Sequence, residues 1–360
     1  MIVVHGELSW ALSSDRVEAC VTARGGHLAP VRFQVGDRTV SPYALAPWLP
    51  GEFEDVPALL DVLRGDFLCL PFGGQSDGPP HGCTANDAWT LVAKEPDSLT
   101  LAIDASDHGV HVEKILIVRP GQSAIYQEHR ISGLEGVFNY GNHPILDLSG
   151  VPEGGAQVST SAMRWASVYP DWFSDPADGA TQRLERGAEF SELKAVALVS
   201  GGTADLSRQP GPVGYDDLVM MVNEPSGPFA WSAVTLDGYV WFQLKNPADF
   251  PATLLWMSNG GRSASPWKGR HFSRLGVEEV CSHFCDGVDV AREDRLPGIP
   301  TSRHFRHDET VSLRIVQAVA AIPKNFGAVT VIEPEGDSAV RITGESGESV
   351  ICPLDWRFVV

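Results

Sequence analysis

Two histidines and a pair of acids, far apart along the chain, are the residues best suited to moving protons: His81 in Pro79-Pro80-His81-Gly82, His143 in Asn142-His143-Pro144, and Glu278-Glu279 after Gly276-Val277. A carboxylate and an imidazole can hold different protonation states at one pH, which is what paired acid and base work on one substrate requires. His81 follows two prolines, so its backbone is stiff on one side, and Gly82 leaves the approach to its ring open. It could equally be a solvent-exposed loop histidine. His143 precedes Pro144, which favours extended geometry; a buried imidazole bonded to a loop carbonyl is the alternative.

In a strand, adjacent side chains point to opposite faces, so only one of Glu278 and Glu279 can enter a given cleft. Leu275 and Val277 share a face with Glu279, whereas Glu278 shares its face with Gly276, whose missing side chain leaves room for a ligand. Glu278 is therefore the preferred chemical group, against the alternative of a solvated strand-end acid. Arg64, in Arg64-Gly65-Asp66, could fork hydrogen bonds to neighbouring hydroxyls, or simply pair with Asp66 or Asp61. Ten tryptophans, among them Trp89, Trp256 and Trp267 near loops or strand ends, offer flat faces for a sugar ring or ordinary packing surface. Together these residue types suit a neutral polyol.

The elements that must position these groups read as mostly β. Apolar or alternating runs of strand length lie at 17–24, 28–35, 89–93, 98–103, 110–118 and 124–131. More follow at 193–199, 218–222, 229–236, 239–244, 252–257, 311–316, 329–332, 339–342 and 350–360. Pro120-Gly121 and Asp237-Gly238 predict two antiparallel hairpins. Helical periodicity is confined to 53–62 and 288–294, which argues against an alternating β/α fold. No repeat of propeller or solenoid length stands out, and the loop-rich segments mark no boundary, so residues 1–360 are expected to form one large β domain.

Composition narrows the partners. The 360 residues carry 46 acidic and 27 basic side chains, a formal net charge of −19, which disfavours nucleic acid and anionic lipid surfaces. The start lacks a basic region followed by an apolar run, so a cytoplasmic location is expected, and no stretch is apolar enough to cross a bilayer as a helix. Six cysteines are too few for a disulfide scaffold. Cys281-Ser282-His283-Phe284-Cys285 gathers two thiols and an imidazole but lacks a fourth ligand, so no metal is expected.

Taken in order, Gly25-Gly26-His27-Leu28-Ala29-Pro30, the arginine segment, His81-Gly82 with Trp89, Asn142-His143-Pro144 and Gly276-Val277-Glu278 resemble the galactose mutarotase-like (aldose 1-epimerase) superfamily. The resemblance spans about residues 15–290. It implies a large antiparallel β-supersandwich, all-β, with a sugar site in an open cleft, no cofactor, and interconversion of the α and β anomers of a neutral aldose. Carried over by position, Glu278 is the general base, His81 and His143 are the two site histidines, Arg64 binds sugar and Asp216 binds a hydroxyl; Trp89 and Trp256 are added as binding aromatics.

The chain departs from the better-known pattern at Ile145-Leu146-Asp147, where an aromatic and an asparagine usually continue, and at Glu279, where proline often follows the glutamate. Those departures mark a divergent branch. A carbohydrate-binding or sensing protein on the same scaffold is the alternative function. A related lyase or glycoside-processing enzyme would need a second acid across the cleft, for which Asp147 or Asp217 could serve, or a tyrosine base. A phosphosugar epimerase is disfavoured by the sparse lysine and arginine near the motifs, Lys268, Arg270 and Arg274 excepted.

Overall fold

The computed structural model describes residues 1–105 and 109–360. Its frame is two antiparallel sheets packed face to face. The larger has nine strands in the spatial order Arg208–Gln209, Ala156–Thr160, Ala230–Leu236, Tyr239–Lys245, Thr310–Ala321, Ala124–Ser132, Val110–Val118, Ser98–Ala105 and Thr90–Lys94. The smaller runs Met163–Val168, Tyr215–Asn223, Ala252–Asn259, Arg274–Cys281, Tyr140–Asn142 and Leu68–Cys69, with Ile145–Asp147 also paired to Arg274–Cys281. A five-stranded N-terminal sheet from Ile2–Val4 to Arg38–Val40 flanks them. This is the antiparallel β-supersandwich expected from the sequence.

Alternation along each strand decides what each layer buries. Leu99, Leu101, Val112, Leu116 and Ile315 of the large sheet meet Val219, Leu255, Leu275 and Val277 of the smaller one in the sandwich core. The opposite face of the smaller sheet is also apolar: Leu218, Met220, Leu254, Trp256 and Val280 form a second cluster with Phe67 and Phe72. That second face floors the site described below. The outer face of the large sheet is covered by a C-terminal three-stranded sheet, Val329–Pro334, Ala339–Gly344 and Ser349–Pro353, through Ile332, Val340 and Ile342 against Phe242 and Val316.

Both expected hairpins form: Val110–Val118 pairs with Ala124–Ser132 across Pro120-Gly121, and Ala230–Leu236 with Tyr239–Lys245 across Asp237-Gly238. Four expectations need correction, the first being the helix over 288–294, which spans only Val288–Ala291. In 193–199 only Val196–Ala197 is strand, because its partner Thr203–Ala204 offers just two pairing residues. The run 350–360 stops as a strand at Pro353, since proline has no N–H for the ladder, and closes with the 3-10 turn Trp356–Val359. The 53–62 helix shortens to Ala58–Asp61, following Pro57.

Candidate functional site

Strand Arg274–Cys281 sits inside the smaller sheet, hydrogen-bonded to Ala252–Asn259 on one side and to Tyr140–Asn142 and Ile145–Asp147 on the other. Because side chains alternate, its two glutamates part company. Glu279 points into the sandwich, fully buried, and accepts hydrogen bonds from Ser232 Oγ at 2.7 Å, Gln243 Nε2 at 2.8 Å and Thr253 Oγ1 at 2.7 Å, with Lys245 as its ion-pair partner. Both of its carboxylate oxygens are engaged. Glu278 points the other way, into a cavity of about 350 Å³, inside the range of about 300–1,000 Å³ usual for small-molecule sites. The gap above Gly276 is filled by Glu278 itself: a Cβ at Gly276 would lie 2.5 Å from Glu278 Oε1. The glycine makes room for the carboxylate rather than for a ligand.

His143 meets that carboxylate, its Nε2 lying 3.4 Å from Glu278 Oε1. It is delivered by the segment between two short strands, Tyr140–Asn142 and Ile145–Asp147, that both pair with the glutamate strand, so imidazole and carboxylate are referenced to one ladder. Phe67 stacks on its ring at 4.7 Å and Trp256 meets it edge-on at 5.8 Å. His81 comes from the Gly73–Gly82 loop, 5.2 Å from His143 between ring centroids. Its Nδ1 accepts a hydrogen bond from the Gly73 N–H at 3.3 Å, leaving Nε2 to carry the ring proton as a donor. The backbone at His81 is left-handed, with φ at 63°, a conformation rare outside glycine and recurrent at functional sites.

Burial sets the charge states of these groups. Glu278 is pushed well above the usual carboxylate range by desolvation, opposed by the Arg262 charge. Desolvation also holds His143 well below the ordinary histidine value, helped by the nearby His81, and lowers His81 to about 4. Burial thus disfavours the charged forms of both partners, carboxylate and imidazolium alike, and favours a neutral acid beside a neutral imidazole.

Arg262, which the sequence reading overlooked, is the arginine of this cavity. Its guanidinium sits among Phe173, Trp256 and Trp267, 4.4–5.4 Å from their ring centroids, and its Nε lies 3.2 Å from Asp216 Oδ1. The loop Gly260-Gly261-Arg262 has no periodic pattern; the signal within reach was an arginine after two glycines and just before Trp267.

Three sequence-based assignments change place. Arg64 lies outside the cavity, buried, donating Nε to Val62 O at 3.0 Å, Nη1 to Val4 O at 2.8 Å and Nη2 to His5 O at 3.1 Å. With its donors spent on main-chain carbonyls it ties the N-terminal sheet to the loop after the short helix. Trp89 is buried beneath the loop, donating Nε1 to Thr84 O at 2.9 Å. Asp216 does not line the cavity either; it accepts from Trp256 Nε1 at 2.6 Å and Ser258 Oγ at 2.7 Å and thereby orients Trp256 and Arg262. Trp256 itself does line the cavity, stacked on His271 at 5.3 Å. Arg64→Met, which keeps the stem and removes the donors, is expected to lower the melting temperature while leaving sugar affinity within about twofold, since each lost bond to a buried carbonyl costs on the order of 1–3 kcal/mol. Thermal unfolding and a sugar titration check both halves.

Among the described residues no cluster of three or more histidine, cysteine, aspartate or glutamate side chains is placed to hold a metal ion, and no helix is long and apolar enough to cross a membrane.

The chain is similar to the aldose epimerase homologue from C. elegans, with a TM-score of 0.59 at 14% identity, covering 88% of this chain and 100% of that one. It is also similar to a galactose mutarotase related enzyme from Lactobacillus acidophilus, with a TM-score of 0.57 at 10% identity over 87% and 98%. A galactose mutarotase-like protein from Lactobacillus casei gives 0.56 at 11% identity over 87% and 100%. No protein-family model and no curated protein matches the sequence. The chain has the galactose mutarotase-like fold, carried by a strongly diverged sequence.

Proposed function

We propose that the chain is an isomerase of the aldose 1-epimerase type, opening and reclosing the ring of an aldose so that its α and β anomers interchange. The observation that carries this reading is the Glu278–His143 pair, 3.4 Å apart at the floor of an aromatic-walled cavity with His81 beside it. The carboxylate takes the proton of the anomeric hydroxyl as imidazolium gives one to the ring oxygen; the bond between C1 and the ring oxygen breaks and the aldehyde forms. Rotation about C1–C2 presents the other carbonyl face. The reverse transfers close the ring and return both groups to their starting states.

The neutral pair differs from the reactive carboxylate–imidazolium pair only in where one proton sits, so moving it from Glu278 to His143 arms the site without exchange with solvent. Arg262 and the ligand's own hydroxyls favour that form, because they face the carboxylate. His81, as a donor through Nε2, supports the ring oxygen.

This proton count gives a pH profile. A second proton must be forced onto a pair whose histidine is already held down by burial, so the acid limb of kcat/KM is expected below the ordinary histidine value of 6.5. Loss of the single shared proton, resisted by the raised Glu278, places the alkaline limb above the ordinary carboxylate value of 4.5. A rate that climbs through pH 6–7 would refute the shared-proton scheme.

A sugar-binding protein without chemistry is the second reading, favoured by the burial that disfavours the charged forms of both groups. Anomer exchange followed by NMR on freshly dissolved aldoses separates the two. Acceleration supports the isomerase; saturable binding with no acceleration for any sugar supports the binder.

A further inference from the structure

The cavity's supply of polar groups is small for a sugar site. Its floor is the apolar face of the smaller sheet, where Glu278 stands among Leu218, Leu254, Trp256 and Val280. One wall is Leu59, Leu60 and Leu63, from the short helix and the residues after it, and Phe67 and Phe173 add aromatic surface. The polar side chains on the lining are Glu278, His143, His81, Arg262, Tyr169, the Cys285 thiol and the indole N–H groups of Trp256 and Trp267, of which that of Trp256 is bonded to Asp216. The Tyr169 hydroxyl already donates to Asp286. The main chain offers little more: the Gly73 N–H is used by His81 and the Gly74 N–H by Cys285 O at 3.0 Å.

Matching this supply to a ligand is a matter of counting partners. Ring opening occupies Glu278, His143 and His81 at the anomeric carbon and ring oxygen. Arg262, its Nε 3.2 Å from Asp216 Oδ1, keeps its terminal nitrogens for a fork to two adjacent hydroxyls. The other carbons of an ordinary hexose also carry hydroxyl or hydroxymethyl groups, and those turned inward, away from the open mouth of the cavity, would be pressed against leucine and phenylalanine with nothing to bond. A buried hydroxyl without a partner costs binding, whereas hydrogen or methyl at the same carbon gains from the contact.

Resting on the isomerase reading above, we propose that the preferred ligand is a deoxy aldose, one in which hydrogen or methyl replaces a hydroxyl or hydroxymethyl group away from C1. The charge arrangement fits a neutral ligand, because the Arg262 guanidinium is already matched by Asp216.

Matched pairs test this without assuming stereochemistry: D-glucose against 6-deoxy-D-glucose and 2-deoxy-D-glucose, and D-galactose against 6-deoxy-D-galactose. Anomer exchange is measured by NMR on the full-length protein. Dissociation constants come in parallel from quenching of tryptophan fluorescence, since Trp256 and Trp267 line the cavity. The expected result is at least one deoxy sugar preferred over its parent by about 10–100-fold in kcat/KM, the discrimination an apolar pocket achieves against a hydroxyl-bearing analogue. Parents handled as well as, or better than, all their deoxy partners would overturn the proposal while leaving the isomerase reading standing. A deoxy preference in binding with no anomer exchange would support the proposal and remove the isomerase reading. No binding by any sugar of the panel overturns it.

Discussion

Glu278→Gln is expected to slow anomer exchange by about 10²–10⁴-fold, the usual worth of a positioned acid–base group. The amide is nearly isosteric and can still pair with a hydroxyl, so sugar affinity should change far less than rate. Its effect on the fold should be small or favourable. The carboxyl is held above its normal range by burial, which means that the folded state binds its proton more tightly than the unfolded chain does. Its stability contribution is therefore best below the ordinary value of 4.5 and is lost as pH rises toward the folded one. The glutamine protein should match or exceed the parent in melting temperature at pH 7 and show a weaker decline with pH. A rate loss under threefold, or a larger loss from Glu279→Gln with the fold intact, would remove Glu278 from the chemistry.

The second large effect concerns the other side of the same strand. Lys245 is completely buried, donating to Ala252 O at 2.8 Å and Thr253 Oγ1 at 2.9 Å and pairing with Glu279. Burial lowers its pKa and the Glu279 charge opposes that fall. Lys245→Met leaves a carboxylate buried with only neutral donors, a loss expected at about 3–5 kcal/mol in chemical denaturation. Adding Glu279→Gln removes the stranded charge, and the double variant should recover a substantial part of that loss. If the single variant unfolds like the parent, the pair does not hold the sheets together.

The sequence disclosed the frame more readily than the site. Strands such as Val110–Val118 announce themselves because alternation with apolar residues is a local property, and the hairpin turns are spelled out in dipeptides. The opposed directions of Glu278 and Glu279 were likewise readable, since they depend only on strand periodicity. Arg64 was misread because its surroundings are not local: the carbonyls it serves at Val4 and His5 lie about sixty residues earlier, and nothing in Arg64-Gly65-Asp66 reveals them. Arg262 went unnoticed for the converse reason. Its meaning arises only when a loop brings it beside Trp256, Trp267 and Phe173. Asp216 was placed near the right neighbourhood, but whether a carboxylate faces a ligand or braces the residues that do depends on side-chain geometry that spacing does not encode.

The back-to-back acids of strand Arg274–Cys281 also restrict how this gene can change. Deleting or inserting a single codon there would turn the strand over, taking Glu279 away from Lys245 to the cavity face and turning Glu278 into the sandwich, with Leu275 and Val277 rotated out of the core. Length variation in this stretch cannot be absorbed, so natural length polymorphism should collect in loops such as 201–214 and be missing between 274 and 281.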